Sequence, residues 1–313
     1  MDGIISVHKP PQITSHDVVK RIRILLAHSK VGHFGTLDPM ATGLLLVAVG
    51  AATRLFPFFS KLDKTYTGEI RLGFATDTYD ATGIEISSRS SRIPGKKRVA
   101  QAMHDFLGDQ LQLPPPFSAK KYKGRPLYRL ARARQPTPLS PSRITVYSFS
   151  LDSYHAPDIR FTVRCSSGTY IRSLAHDLGQ TVGCGAHLTQ LERTEVGRFS
   201  LKDSQSLDEI RDLSNSGQIQ GFLTPLEQLL PEFPKVILTP TGARLARNGN
   251  LVPPVHISRL EDPDCTSDSD TALEVSHFRL FSPAGRFLAI ARKTPEGNAL
   301  HPFLVVDRET SSE

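Results

Sequence analysis

Asp38 is the carboxylate whose setting is most suited to chemistry. It lies in Val31-Gly32-His33-Phe34-Gly35-Thr36-Leu37-Asp38-Pro39-Met40-Ala41-Thr42-Gly43, where glycines admit unusual backbone angles and the proline removes a backbone donor. The apolar run 44–49 follows at once, at the length of a buried strand. Loops braced by rigid elements commonly carry reactive groups, so such an acid can serve as nucleophile or acid–base group. Asp-Pro also opens ordinary turns, and the residue types alone leave that role open. Arg172 borders the stripe Ile171, Leu174, Ala175 and Leu178 of an expected helix. A guanidinium at such a boundary needs an anion, either carboxylate or phosphate. Tyr66 falls on the apolar side of an alternating stretch, where a core tyrosine with a satisfied hydroxyl is the simplest reading.

The elements that must hold these groups follow from periodicity and capping signals. Residues 4–7 read as a strand stopped by Lys9-Pro10-Pro11. Thr14 precedes Asp17 by three residues, a capping-box start for a basic amphipathic helix with Val18, Val19, Ile22, Leu25 and Leu26 on its apolar side. A short helix over 51–59, distorted by Pro57, precedes the alternating strand 64–72, which places Tyr66, Gly68, Ile70 and Leu72 on one face. Residues 77–83 form a polar turn; its acid spacing is like that of a calcium loop, but the required glycine and bidentate Glu are missing. Val99, Met103, Phe106 and Leu107 mark another helix, and 143–151 and 159–165 read as strands. The helix that starts near Ile171 stops at Gly179, and 191–199 reads as a strand. A polar helical linker is expected over about 203–231. Beyond it lies a small β-rich unit with a helix near 239–248, strands at 274–281, 287–292 and 301–306, and an acidic loop at 261–270.

A chain of 313 residues suggests about two domains. Lys plus Arg number 38 against 31 acids, and the resulting +7 favours a polyanionic partner. Residues 113–134 contain no acid, carry Lys120, Lys121, Lys123, Arg125, Arg129, Arg132 and Arg134, and interleave Tyr122 and Tyr128. Cations that neutralise phosphates and aromatics that stack on bases make this stretch a projecting RNA-contact loop. The N-terminus lacks a secretory pattern and no apolar run approaches the ~20 residues of a membrane span, so the expected location is cytoplasmic. Cys165, Cys184 and Cys265 are odd in number and lack paired metal-ligand spacing, which argues against a disulfide framework and a zinc site.

Taken in order, these stretches resemble the TruB family of bacterial tRNA pseudouridine-55 synthases. The matching residues are Lys9-Pro10 with Thr14-Ser15, Gly32-His33, Gly35-Thr36-Leu37-Asp38-Pro39, Ala41-Thr42-Gly43, Lys64 with Tyr66, and Asp77-Thr78 with Asp80 and Gly83. They continue with Pro115-Pro116-Phe117-Ser118-Ala119-Lys120, Gly168-Thr169-Tyr170-Ile171-Arg172, and Leu191 with Arg193-Thr194. The resemblance implies an α+β chain with a mixed, mainly antiparallel central sheet flanked by helices and loops. It implies a catalytic domain at 1–231, with a basic RNA-binding insertion at about 114–143 and the linker at about 203–231. Residues 232–313 resemble, more loosely, a PUA-type RNA-binding module.

Residue by residue, the resemblance implies that Asp38 attacks the target nucleoside as its C–N glycosidic bond breaks and re-forms as C–C; attack on base or on sugar stays open. Arg172 would pair with Asp38, Tyr66 would stack on the target base, and Tyr170 would pack against it. His33 would fill the space left by the extruded nucleotide, Lys9 would support the pocket, and Leu191 would help wall it. Lys120, Lys121, Lys123 and Arg125 are the candidates for RNA-backbone contact. The implied substrate is the T stem-loop of tRNA, with no cofactor, no metal and no obligatory protein partner for a monomer, and with an accompanying tRNA-folding chaperone role. A guide-dependent synthase of the dyskerin type is the alternative within the same chemistry. Gln12 replaces the family's usual glycine, His8 a common acid, Phe34 a small hydroxyl residue and Met40 a leucine. Phe34, next to His33, is expected to alter how flipped nucleotides fit.

Overall fold

The computed structural model describes residues 1–118, 120–122, 124–126, 133, 139–262 and 277–307. Its larger part is a ten-stranded sheet built from β1 (Gly3–Lys9), β2 (Val31–His33), β3 (Thr42–Val49), β4 (Lys64–Leu72) and β5 (Gly108–Gln112). After the two-residue hairpin β6 (Lys121–Tyr122) and β7 (Arg125–Pro126), the sheet gains β8 (Ser142–His155), β9 (Asp158–Cys165), β10 (Ala186–Val196), β11 (Phe199–Ser200) and β12 (Leu223–Pro225). The strands run β12-β1-β3-β10-β4-β9-β8-β5, with β2 on β3 and β11 on β10. Every pairing is antiparallel except β3 with β10, so the sheet is mixed and mainly antiparallel as expected.

The continuous apolar run of β3 has a physical reason: both faces of the strand are covered. Leu45, Val47 and Val49 join one core with α1 (Ser15–Leu25), whose Thr14–Asp17 capping box is formed. The same core takes in α3 (Lys96–His104) and α4 (Ile171–Val182), while α2 (Phe56–Phe59) lies on the other side. Leu44, Leu46 and Ala48 point the other way, into a second core that includes Phe281, Phe287, Ile290 and Val306. The first three belong to, and Val306 directly follows, a five-stranded sheet ordered β14-β13-β15-β16-β17, made of β13 (Lys235–Leu238), β14 (Ile257–Glu261), β15 (Phe278–Phe281), β16 (Phe287–Lys293) and β17 (Leu300–Val305). The second sheet therefore packs on the back of the first, away from α4.

Several expectations need correction. Phe34 is 1 % exposed and stacks on Phe59 at 4.9 Å, within the second core, so it faces away from His33's surroundings. The stretch 203–231 is packed and is not a polar linker. It holds α5 (Leu207–Asn215), buries Ile210, Ile219, Leu226, Leu229 and Leu230, and supplies β12 to the sheet edge beside β1. Its apolar residues are too sparse for periodicity to reveal the burial. β13 and β14, four and five residues long, are too short for alternation to announce them, whereas the helix at 239–248 is present as α6 (Pro240–Arg247) with Thr239 as its N-cap. Most of the acidic loop, the start of the strand at 274, and Lys123, Tyr128, Arg129, Arg132 and Arg134 lie outside the described residues. Among the described residues no helix is long and apolar enough to cross a membrane.

Gln12 adopts φ 66°, a left-handed conformation that explains why glycine suits this position, and its N–H donates to the Pro39 carbonyl at 2.7 Å. Removing the Phe34 ring leaves Phe59 without its stacking partner in a closed core. Phe34→Ala is expected to destabilise the fold by ~3–5 kcal/mol, read as a lower urea midpoint at an unchanged m-value.

Candidate active site

The loop between β2 and β3 is tied down from three sides before its carboxylate reaches the surface. Ser15, at the start of α1, accepts from Leu37 N–H at 2.8 Å and donates to the Leu37 carbonyl at 3.2 Å. Lys9 is fully buried, and its ammonium donates to the carbonyls of Pro10, Ile13 and Pro39 at 2.8, 2.8 and 3.3 Å. Burial pushes this lysine down to about 8, with Asp38 opposing the shift. Gly43, at φ +101°, lets β3 press against β10; a Cβ there would stand 2.4 Å from the Arg193 carbonyl oxygen. That close approach brings Leu191 and Arg193 of β10 alongside the Asp38 loop.

Arg172, on the first turn of α4, is 5 % exposed and meets Asp38 in a two-pronged ion pair. Nε donates to Asp38 Oδ2 at 2.8 Å and Nη2 to Oδ1 at 3.0 Å. Its other donors reach the Thr78 carbonyl at 3.1 Å and the Phe117 carbonyl at 3.0 Å, and Nη1 lies 3.5 Å from Asp80 Oδ2. The anion that sequence asked for is thus two carboxylates. Asp38, a third exposed, opens to a cavity, whereas Asp80 is buried at 6 % and accepts from Thr78 Oγ1, Thr82 N–H and Thr82 Oγ1.

The cavity has a volume of about 340 Å³. Asp38, Tyr66, Tyr170, Leu191 and Lys120 line it, together with Lys64 and Arg193. A second cleft of about 550 Å³ shares Leu191 and extends across Gly68 toward Met40 and Glu192. Tyr66 opposes Arg193 across the β4–β10 pairing, and burial raises its hydroxyl above the ordinary range while Arg193 counters the rise. Tyr170 is held by its backbone, which exchanges two hydrogen bonds with the buried Gln112 amide at 2.8 and 3.0 Å. Arg193 is almost fully buried; Nε donates to the Leu44 carbonyl at 2.7 Å and Nη2 to the Gly35 carbonyl at 3.1 Å. Lys64 donates to the carbonyls of Ser60 and Leu62, and burial pushes it down to about 8.

Two predicted residues, Lys9 and His33, are not part of the cavity lining. Lys9 serves the loop from below, consistent with support of the pocket. His33 is half-buried, its Nδ1 has no hydrogen-bond partner, and burial, reinforced by Arg193, lowers its pKa and favours the neutral ring. Lys120 donates to the Ser140 carbonyl and to Ser142 Oγ, both at 2.8 Å, and so anchors the insertion at the cavity edge. In the β6–β7 hairpin Lys121 pairs with Pro126 and Arg125 with Tyr122, and Lys123 lies outside the described residues. Lys64, Asp80 and Arg193 appear in the sequence among the family-matching residues without an assigned role, and Gln112 carries no sequence signal. Asp80 had a signal: it sits in the turn set aside as a failed calcium loop, while Arg172 still lacked a partner.

Chemically, an aspartate carboxylate paired with a fixed guanidinium needs no base to act as a nucleophile. Two aromatic walls and buried cations around it suit a planar, polar ring. Removing Arg172 would leave Asp80 buried without its cation. Arg172→Met is expected to destabilise the protein by ~3–5 kcal/mol, and adding Asp80→Asn should recover part of that loss in urea titrations.

Residues 23–171 match the profile described as TruB family pseudouridylate synthase (N terminal domain). Residues 172–231 match tRNA pseudouridylate synthase B C-terminal domain. A tRNA pseudouridine synthase B of Solibacter usitatus is 40% identical over 253 residues, covering 81% of this chain and 86% of the relative. The protein of the same name from Dehalococcoides mccartyi is 35% identical over 310 residues, covering 99% of this chain and 98% of the relative. Among solved structures, the crystal structure of a Cbf5-Nop10-Gar1 complex superposes with a TM-score of 0.72 at 24% identity, covering 98% of this chain and 85% of that one, a likeness of fold. With the profiles continuous from 23 to 231 and relatives matched over nearly their full length, this chain belongs to the TruB family of pseudouridylate synthases.

Proposed function

We propose that this protein is a tRNA pseudouridine synthase, an isomerase that converts uridine 55 of the T loop to pseudouridine, with Asp38 as its catalytic residue. The observation that carries this reading is the Asp38 carboxylate, gripped at 2.8 and 3.0 Å by a buried Arg172 and open to a cavity walled by Tyr66 and Tyr170. The uridine must leave its stack to reach Asp38. Flipping costs a few kcal/mol, which stacking on aromatic rings at roughly 1–3 kcal/mol per base can offset. Tyr66 and Tyr170 serve that purpose, Leu191 closes one side, and Arg172 keeps Asp38 aimed. The C1′–N1 bond breaks, the uracil turns within the pocket, C5 bonds to C1′ and gives up its proton, and N1 takes up a proton from solvent. Bond making and breaking balance without an oxidant or reductant.

His33 acts as the wedge beside the flipped nucleotide. The basic insertion at about 114–143 holds the RNA backbone through Lys120, Lys121, Lys123 and Arg125. Residues 1–231 serve as the catalytic domain and 232–313 as a PUA-like RNA-binding domain. The protein works in the cytoplasm as a monomer on tRNA, needs no guide RNA or protein partner, and helps tRNA fold as it binds.

Two measurements test this reading. Purified wild-type protein should form pseudouridine at position 55 of an unmodified tRNA transcript without added factors, and Asp38→Asn should abolish C5 tritium release while keeping RNA affinity. Tritium release by Asp38→Asn at the wild-type rate would sink the assignment. Replacing Lys120, Lys123 and Arg125 with alanine should weaken tRNA binding and flatten the plot of log K against log salt by about 2–3 in slope. An unchanged slope removes these residues from the interface.

A further inference from the structure

Helix α4 contacts the loop at residues 76–83 twice. Residues four apart lie on one helix face, and Arg172 and His176 are so spaced. Arg172 holds the Thr78 carbonyl and faces Asp80, as described above. His176 stacks on Tyr79, the residue between them, with ring centroids 3.8 Å apart and planes inclined by 13°. The loop thus meets one helix through charge at one turn and through ring faces at the next.

Tyr79 has an unfavourable backbone. Its φ is 66°, a region that residues with a Cβ rarely adopt and that persists only where the surroundings impose it. Its N–H donates to the Thr76 carbonyl at 3.2 Å, and its carbonyl accepts from Leu188 N–H at 3.0 Å. This left-handed turn lets Thr78 and Asp80 both address Arg172. His176 adds little to the loop through hydrogen bonding, because its Nδ1 is buried without a partner. Burial also lowers its pKa, which favours the neutral ring. What the ring contributes is its face.

We propose that the Tyr79–His176 stack is a positioning device for the catalytic ion pair, holding Thr78 and Asp80 against Arg172 so that Arg172 presents Asp38 in one orientation. The inference rests on the reading of Asp38 and Arg172 as the reactive centre. Neither ring lines the cavity. Their loss lets the loop leave its strained conformation, and Arg172 then shares its donors among fewer fixed acceptors.

The test compares His176→Ala and Tyr79→Ala with His176→Phe and Tyr79→Phe, which keep a ring face. The alanine variants should lose at least about tenfold in the single-turnover rate on tRNA, equivalent to ~1.4 kcal/mol, with tRNA affinity within about twofold of wild type. The phenylalanine variants should stay within about threefold of the wild-type rate. Alanine variants as fast as wild type, phenylalanine variants as slow as the alanine ones, or parallel loss of rate and affinity would each overturn the proposal. His176→Ala carries the test if Tyr79→Ala fails to fold, since alanine suits a helix interior. A crystal structure of His176→Ala supplies a readout independent of turnover. Loss of the two-pronged Arg172–Asp38 contact supports the positioning role, and its retention overturns it. Inactivity of the wild-type protein on tRNA would instead count against the Asp38 reading.

Discussion

The buried guanidinium of Arg172 is the constraint on which the site depends. A side chain that cannot shed its proton and is 5 % exposed must be matched by anions and carbonyls. Here the four matching residues come from three separate segments: Asp38 from the β2–β3 loop, Thr78 and Asp80 from the loop after β4, and Phe117 from the stretch after β5. Helix α4 supplies the cation and so draws those segments to one point. Of the two carboxylates, Asp80 is enclosed and saturated by threonine donors, which suits it to orient Arg172. Asp38 retains an open side, which leaves it free to react.

The sheet explains why that point is also a cavity. The parallel contact of β3 with β10 is possible because Gly43 has no side chain, and it places Leu191 and Arg193 next to the Asp38 loop. The antiparallel pairing of β10 with β4 then sets Tyr66 opposite Arg193. Gly68 lies two residues further along β4, where a Cβ would stand 2.5 Å from the Gln190 carbonyl oxygen, and it lines the cleft that continues past Leu191. Buried Lys64, Arg193 and Lys9 surround the acids with positive charge, each held by backbone carbonyls. The second sheet packs on the opposite face and leaves this one accessible.

The elements most legible in the sequence were those with local causes. The capping box at Thr14, the doubly buried run of β3, the alternation of β4 and the amphipathic α4 each follow from spacing within a dozen residues, and each is present. The stretch 203–231 was misread because its burial depends on a few apolar residues that meet distant partners, and β13 and β14 are too short to show a pattern. Phe34 illustrates the same limit: adjacent to His33 in sequence, it turns to the opposite face of the sheet, as strand geometry requires of neighbours.

The sequence by itself determined the reactive types and their order along the chain: an acid on a glycine-rich loop, tyrosines on apolar faces, and an arginine at the edge of a helix stripe that had to find an anion. Together with ordered motifs, that was enough to indicate the family and its chemistry. Only the tertiary structure decided that the anion is a pair of carboxylates, that Lys9 is not part of the cavity lining, and that Arg193 and Lys64 are. These facts rest on contacts between segments far apart in sequence, among them the 134-residue separation of Asp38 and Arg172. Periodicity reports which face a residue occupies on its own element; which other element meets that face is settled by packing.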